Sequence, residues 1–377
     1  MYYAKETVNR LINSKKIVIY GARIVADEVA NCLMDVPYSL NISAFIVSNL
    51  EGNPKELLGI PVLEINEAKV KYRNAAVVVA VLEKYLDEIL TLLSAEGFDN
   101  IIPLTFESDL WSLIRGNYYI EMVNKQGKKY LTLEEELEHI GDVDTKEASS
   151  VSIYEAKCHL DKKLEMSTST YKDIKQIQVG AALTDQVISD IRDDIGENIS
   201  SKNRQYCELT ALYWIWKNDN KSKYVGLCHY RRHFLLDTKQ VAQISKSGVD
   251  VILTIPILNF PSVRSAYAHD HIIADWDIML QGIEKLAPEY IKTAEKIQNG
   301  NYYYAYNMFI AKKGIFDAYC QWLFPILFYC EERCGYKENS YQNRYIGFLA
   351  ERLLTIFFIH NEGKWKIVHA KKEFLMR

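Results

Sequence analysis

The sequence predicts an α/β protein of two units, on three observations. At 377 residues the chain exceeds one average domain. Short apolar runs alternate with stretches of helical periodicity, the pattern of parallel strands covered by helices. Between two such sets lies a segment, residues 106–149, that lacks strand periodicity and carries the acidic stretch LEEELEHIGDVD at 133–144. The expected division is a Rossmann-like unit over 1–105, a partly helical connector over 106–149, and an α/β sandwich with a mixed central sheet over 150–377.

The first unit opens with KIVIY at 16–20, which ends at Gly21 and is followed by IVADEVANCLM with helical period. That is a strand, a turn and a helix. ISAFIV (42–47) and AVVVAV (76–81) read as further strands, a helix is expected around 85–93, and NIIPL (100–104) closes the sheet. A dinucleotide fingerprint needs three glycines here, the second to admit a pyrophosphate near the backbone and the third to let helix and strand pack. Arg23 and Ala26 stand at the second and third places. Nicotinamide binding is therefore not expected, and a structural or assembly role is. The unit resembles the N-terminal nucleotide-sugar-binding domains found beside bacterial sugar-modifying enzymes, with its glycine signature eroded.

Composition excludes several classes. With 45 basic and 49 acidic side chains the net charge is only −4, so no global field draws the chain onto nucleic acid or anionic lipid. A local basic cluster must carry any phosphate binding. Seven cysteines form no CxxC pair, which fits buried free thiols in a reducing compartment. The N-terminus, MYYAKETVNRLINSKK, lacks a signal peptide's apolar stretch, and no window holds 18 unbroken apolar residues. A cytoplasmic protein is expected, peripheral to a membrane at most. The 26 tyrosines suit stacking on sugars or bases as well as ordinary packing.

In the second unit, strands are expected at 151–154, at YVGLC (224–228), at DVILTI (250–255) and at YNMFIA (306–311), with a helix whose apolar stripe is Leu209, Leu212, Tyr213 and Trp216. The most informative segment is YVGLCHYRRHF, 224–234. His229, Tyr230, Arg231, Arg232 and His233 fall at the carboxyl end of a buried strand, where open α/β sheets bind their ligands. Two adjacent guanidiniums there match the oxygens of a diphosphate; the alternative is a solvated strand end whose arginines pair with carboxylates. Upstream, Gly196, Asn198, Ser200 and Ser201 form a loop, and Lys202 and Asn203 begin the aromatic helix, whose free N–H groups suit a phosphate or ribose as well as a simple cap. In SAYAHDHIIADWD (265–277), His269, His271, Asp270, Asp275 and Asp277 lack a third strong ligand, so no metal site is expected. Asp275 is instead a candidate general base with His271 orienting it, and Glu351, on a helix that also carries Arg344, Gly347 and Arg352, is the alternative base.

Four separated blocks, NISSKNRQYCELTALYWIWKN, YVGLCHYRRHF, YNMFIAKKGIFDAYCQWLFPIL and GFLAERLL, resemble a family first catalogued as a domain of unknown function and identified as bacterial galactofuranosyltransferases of capsule and O-antigen synthesis. The resemblance covers about residues 151–370. It implies a GT-A-like α/β glycosyltransferase domain, a UDP-galactofuranose donor, inverting transfer to a β product, and a lipid-linked glycan acceptor. The matching positions are His159, Gly180, Asn198, Lys202, Asn203, Glu208, His229, Arg231, Arg232, His271, Asn307, Glu351 and Arg352. Leu160 stands where the family usually has a lysine. Many GT-A enzymes end the comparable strand in an Asp-x-Asp that holds a metal; this chain lacks it, so Arg231 and Arg232 are expected to take the cation's place and no cofactor or metal is expected. A pyranosyl or rhamnosyl transferase, a non-catalytic nucleotide-sugar-binding assembly subunit, and homo-oligomer formation are compatible with the same residues.

Overall fold

A computed structural model of the protein describes residues 2–105, 108–162 and 171–375. The chain divides into two compact units, Met1–Tyr130 and Leu131–Arg377.

Unit 1 runs α1 (Tyr2–Ile12), β1 (Ile17–Tyr20), α2 (Ile24–Met34), β2 (Ile42–Val47), β3 (Glu56–Leu57), β4 (Ile60–Glu64), α3 (Ile65–Lys71), β5 (Ala76–Val79), α4 (Leu86–Ala95), β6 (Ile101–Pro103) and α5 (Asp109–Lys125). The sheet order is β3-β4-β2-β1-β5-β6, parallel except for the β3–β4 hairpin. Every residue of β1 and β5 is buried, as expected for strands covered on both faces. Gly21 has φ +118°, and a Cβ there would meet the Ala80 carbonyl oxygen at 2.7 Å, so only glycine fits where the chain leaves β1. The Arg23 guanidinium donates to the Gly52 carbonyl rather than standing open to an anion.

The segment expected as a connector is divided between the units. Helix α5 buries Trp111 and Ile114 and packs against α1 and α2, whereas α6 (Leu133–Glu138) buries Leu133 and Leu137 in the core of unit 2. Both pieces are helices, and each covers the sheet of its own unit. Ser108 and Thr132 cap them, accepting from Trp111 N–H and Glu135 N–H.

Unit 2 continues with β7 (Val151–Lys157), β8 (Lys175–Gln178), β9 (Ile191–Arg192), α7 (Asn203–Tyr206), α8 (Leu209–Asn218), β10 (Tyr224–His229), β11 (Arg232–Phe234), α9 (Thr238–Ile244), β12 (Val251–Thr254), β13 (Ile257–Leu258), α10 (Val263–Asp270), α11 (Ile273–Leu286), α12 (Ile291–Asn299), β14 (Tyr302–Tyr303), β15 (Phe309–Lys312), α13 (Lys313–Cys334), α14 (Tyr345–His360), β16 (Ile367–Ala370) and β17 (Lys372–Phe374). Its main sheet has the order β16-β12-β15-β10-β7-β8-β9, with β11 and β17 paired at the end of β10. Strand β15 runs antiparallel to both β10 and β12, so the sheet is mixed, as expected. Side chains alternate across it. Ile153, Tyr224, Cys228, Ile252 and Ile310 join α6 and α9 in one core, while Phe309 stacks on Phe316 and meets Tyr319 edge-on and Phe358 at a tilt, on α13 and α14 at the other face. No described helix is long and apolar enough to cross a membrane.

This topology fixes one edge. The carboxyl ends of β7, β8 and β10 and the start of β15 come to the same side, because β15 is antiparallel to β10. The helices that precede parallel strands, α8 and α14, begin on that side too.

Candidate functional site

The expected site residues gather at this edge in two groups and leave two outliers. The first group is a backbone-built nest after β8. Asp193, wholly buried, accepts from Gly180 N–H (2.9 Å), Ala181 N–H (3.0 Å) and the Ser200 hydroxyl (2.5 Å). Gly180 has φ +64°, and a Cβ would lie 2.8 Å from Asn203 Oδ1, so the bend of β8 is closed against α7. Asn198 caps the loop, donating to the Asp194 and Gly196 carbonyls and accepting from Ser200 N–H. Asn203 donates to Cys207 O (2.7 Å) and Thr210 Oγ1 (3.1 Å), tying the nest to α8. Lys202 reaches Glu331 of α13 at 2.5 Å, where Tyr206 also donates at 2.9 Å.

The second group surrounds the end of β10. His229 Nε2 donates to the Tyr306 carbonyl at 2.5 Å and lies 3.9 Å from Glu208 Oε1. Burial pushes the His229 pKa below its ordinary value, so the ring is neutral near pH 7. Asn307 Nδ2 donates to Glu208 Oε1 (2.7 Å) and Gly347 O (3.3 Å). Glu351 accepts from Tyr306 N–H (2.6 Å) and from Arg352 Nη1 (2.7 Å); burial raises its pKa, and the charge of Arg352 is the main force opposing that rise. Arg232 stands over the Tyr306 ring at 4.2 Å and the Phe374 ring at 4.9 Å, and its charge acts on both His229 and Glu351. Arg344 donates to Cys207 Sγ at 3.2 Å, and Gly347 faces the same side chain, where a Cβ would lie 3.7 Å from Sγ.

Arg231 and Arg232, expected side by side, have different surroundings. They occupy the turn and first residue of a hairpin in which His229 pairs with Arg232. Arg232 thus joins the cluster of His229 and Glu351, while Arg231 lies 5.2 Å from the Tyr230 ring, in the neighbourhood of Asp161. Both are half-buried, and the buried Arg231 Nε has no hydrogen-bond partner among the described residues. His159, half-buried just beyond β7, likewise holds a buried Nδ1 without a partner among them.

Asp275 and His271 are not brought together. Asp275 is 2% exposed and accepts from Lys337 Nζ at 2.8 Å. Beside it, burial and the Asp275 charge push the Cys334 thiol up to about 12. That arrangement is a buried ion pair, and Asp275 is not among the main charges acting on His229 or Glu351. His271 packs between rings, 4.1 Å from Phe348 and 4.7 Å from Tyr267. Burial and then Arg352 lower its pKa to about 4, so it is neutral and its charged neighbours are Arg352, Asp270 and Arg344. Arg352 itself is buried, donating to Phe348 O and lying 4.2 Å from the Tyr303 ring. No group of three or more His, Cys, Asp or Glu side chains among the described residues is arranged to hold a metal ion.

Sequence reasoning missed the backbone that builds the second group. Tyr306 (φ +72°) and Asn307 (φ +50°) are consecutive left-handed residues, and Cys207 has φ +51°. Only Asn307 gave a signal, since asparagine tolerates that region better than most residues. The His233–Glu155 pair, 2.6 Å apart between β11 and β7, was not foreseen either.

Comparisons with known proteins agree with this architecture. A solved structure described as the apo form of the bifunctional glycosyltransferase WbbM is similar to the chain at 29% identity with a TM-score of 0.54, over 60% of this chain. The similarity spans 45% of the length of that structure. No curated protein matches. The family model described as a domain of unknown function, DUF4422, matches residues 158–362, more than half of the chain and all of the site built above except the end of β7 and Phe374. The chain belongs to the DUF4422 family.

Proposed function

We propose that unit 2 is a glycosyltransferase that takes a sugar from a nucleotide-activated donor and passes it to a saccharide hydroxyl. The observation that carries this reading is the carboxyl edge of the mixed sheet, where Glu208, His229, Arg232 and Glu351 converge within a fold similar to that of WbbM. Half-buried guanidiniums suit a departing diphosphate, since arginine stays charged and presents a planar fork. Arg232 faces the carboxylates and so lies nearest the reacting centre; Arg231, with His159 beside β7, serves the far side of the donor. Gly180 and Asn203 shape the floor between them, and Asn198 and Lys202 act by holding that floor to its loop and to α13. The donor most favoured by the family resemblance is UDP-galactofuranose, with inversion to a β product and a lipid-linked glycan acceptor at the inner face of the membrane.

Incubating the purified chain with UDP-galactofuranose, UDP-galactopyranose, UDP-glucose and dTDP-rhamnose, with an octyl galactoside as acceptor, tests this reading. Nucleoside diphosphate release together with a mass gain of one hexose or deoxyhexose on the acceptor is expected, and NMR of the product gives the anomeric configuration. Binding of the donors without consumption of any would overturn the enzyme in favour of a nucleotide-sugar-binding subunit. Turnover that persists in excess chelator is the expected result if arginine replaces the metal; loss restored by manganese would reverse that part.

A further inference from the structure

We propose that Glu208 is the general base of this transfer, with Asn307 and Cys207 as positioning residues that hold it. The inference rests on the glycosyltransferase reading and adds the reacting group to it.

Three carboxylates compete for the role, and their partners separate them. Asp275 gives Oδ1 to Lys337 and leaves Oδ2 without a hydrogen-bond partner among the described residues, but at 2% exposure that oxygen is closed to an incoming hydroxyl. Glu351 has one oxygen on Tyr306 N–H and the other on Arg352, so it is committed on both sides. Glu208 commits only Oε1, to Asn307, while Oε2 accepts no hydrogen bond from the described residues, and the side chain keeps 12% exposure. A base must offer a lone pair to an incoming hydroxyl. Of the three, Glu208 is the one placed to do so.

The backbone around it carries a second, independent argument. Three of the five non-glycine residues with positive φ among the described residues are Cys207, Tyr306 and Asn307. Such conformations persist where the surroundings over-determine them, and they cluster at working sites. Cys207 precedes Glu208 directly, with its N–H donating to Asn203 O and its carbonyl accepting from the Asn203 side chain. Tyr306 is held at both ends, its N–H by Glu351 and its carbonyl by His229. Asn307 then delivers its amide to Glu208 Oε1. His229, neutral and with Nε2–H committed to Tyr306, leaves Glu208 without a cationic partner on that side.

In the step so assigned, the acceptor oxygen forms a bond to the anomeric carbon as the bond from that carbon to the diphosphate oxygen breaks. The electron pair of the broken bond leaves on the nucleoside diphosphate. The acceptor proton passes to Glu208 Oε2 and from there to solvent.

The test uses the full chain with the four donors and the octyl galactoside. Glu208→Gln keeps the shape and an oxygen for Asn307, so UDP binding and the melting temperature should match wild type while kcat falls about 10²- to 10⁴-fold. Asn307→Ala should lower kcat about tenfold with donor KM nearly unchanged, a split that a general packing defect would not give. A Glu208→Gln protein with more than about a tenth of wild-type kcat overturns the base assignment and leaves the glycosyltransferase standing. A wild type that consumes none of the four donors overturns both. Should the Gln variant not fold, Glu208→Asp decides: a loss of about tenfold or more with UDP binding retained supports the assignment, and wild-type kcat overturns it.

Discussion

Units 1 and 2 each place the carboxyl ends of parallel strands along one edge, yet the two edges are built from different material. In unit 1 the turn after β1 is filled by its own backbone: Gly21 abuts the Ala80 carbonyl, and Arg23 is spent on Gly52. In unit 2 the edge holds Glu208, His229, Arg232, Arg344 and Glu351 within electrostatic reach of one another. Burying that many ionisable groups costs stability unless each is paired, so their concentration is the mark of a site rather than of a scaffold. An edge of parallel strand ends therefore carries no function of its own; the side chains grafted on it do.

Arginine replacements break the comparison most sharply. Arg232→Ala should lower sugar transfer about 10²- to 10³-fold, as loss of one stabiliser of a leaving anion does. Arg23→Ala in unit 1 should leave the rate unchanged. Steady-state kinetics on the two variants decide whether the charged edge alone is active.

Glycine replacements test what the edges share. Gly180→Ala forces a side chain onto Asn203 at a positive φ, and Gly21→Ala forces one onto the Ala80 carbonyl. Each should destabilise its unit by about 1–3 kcal/mol, seen as a lowered midpoint in thermal or urea unfolding. Equal sensitivity would show that both turns are structural, whatever chemistry sits nearby.

Acid gives the smallest and most selective contrast. All eight histidines lie in unit 2 and none in unit 1. His229, His271 and His369 have folded pKa values below the ordinary 6.5, the last two about 4, all chiefly through burial. His369 is held neutral by donating to Leu131 O and accepting from the Tyr304 hydroxyl. The unfolded chain takes these protons first, so stability is complete above about pH 6.5 and falls as the pH drops toward 4. Glu351, raised by burial, acts with the opposite sign, so the three histidines set the direction. Hydrogen exchange followed by peptide from pH 7 to pH 4.5 should loosen unit 2 before unit 1.

Much of the fold was legible because hydrophobic period and turn residues are local. The strands at 42–47 and 224–228 and the helices at 24–34 and 209–218 follow from such patterns. Residues 106–149 read as partly helical, but which sheet each of the two helices covers was not legible, because covering is not a local property. Within the site, His229 was placed correctly at a strand end by period alone. Asp275 looked as available as Glu351, since both are acids on helices near arginine or histidine.

What the sequence determined by itself is the pair of α/β units and the strand ends at which chemistry is possible, because alternation and helical period dictate which residues are buried and where strands stop. What only the tertiary structure decided is which charges meet. Lys337 reaches Asp275 across 62 residues, Glu351 takes Tyr306 across 45, and Asn307 takes Glu208 across 99. Pairings and burial at such separations are fixed by packing between elements, and together they determine which carboxylate keeps an accessible oxygen for a substrate.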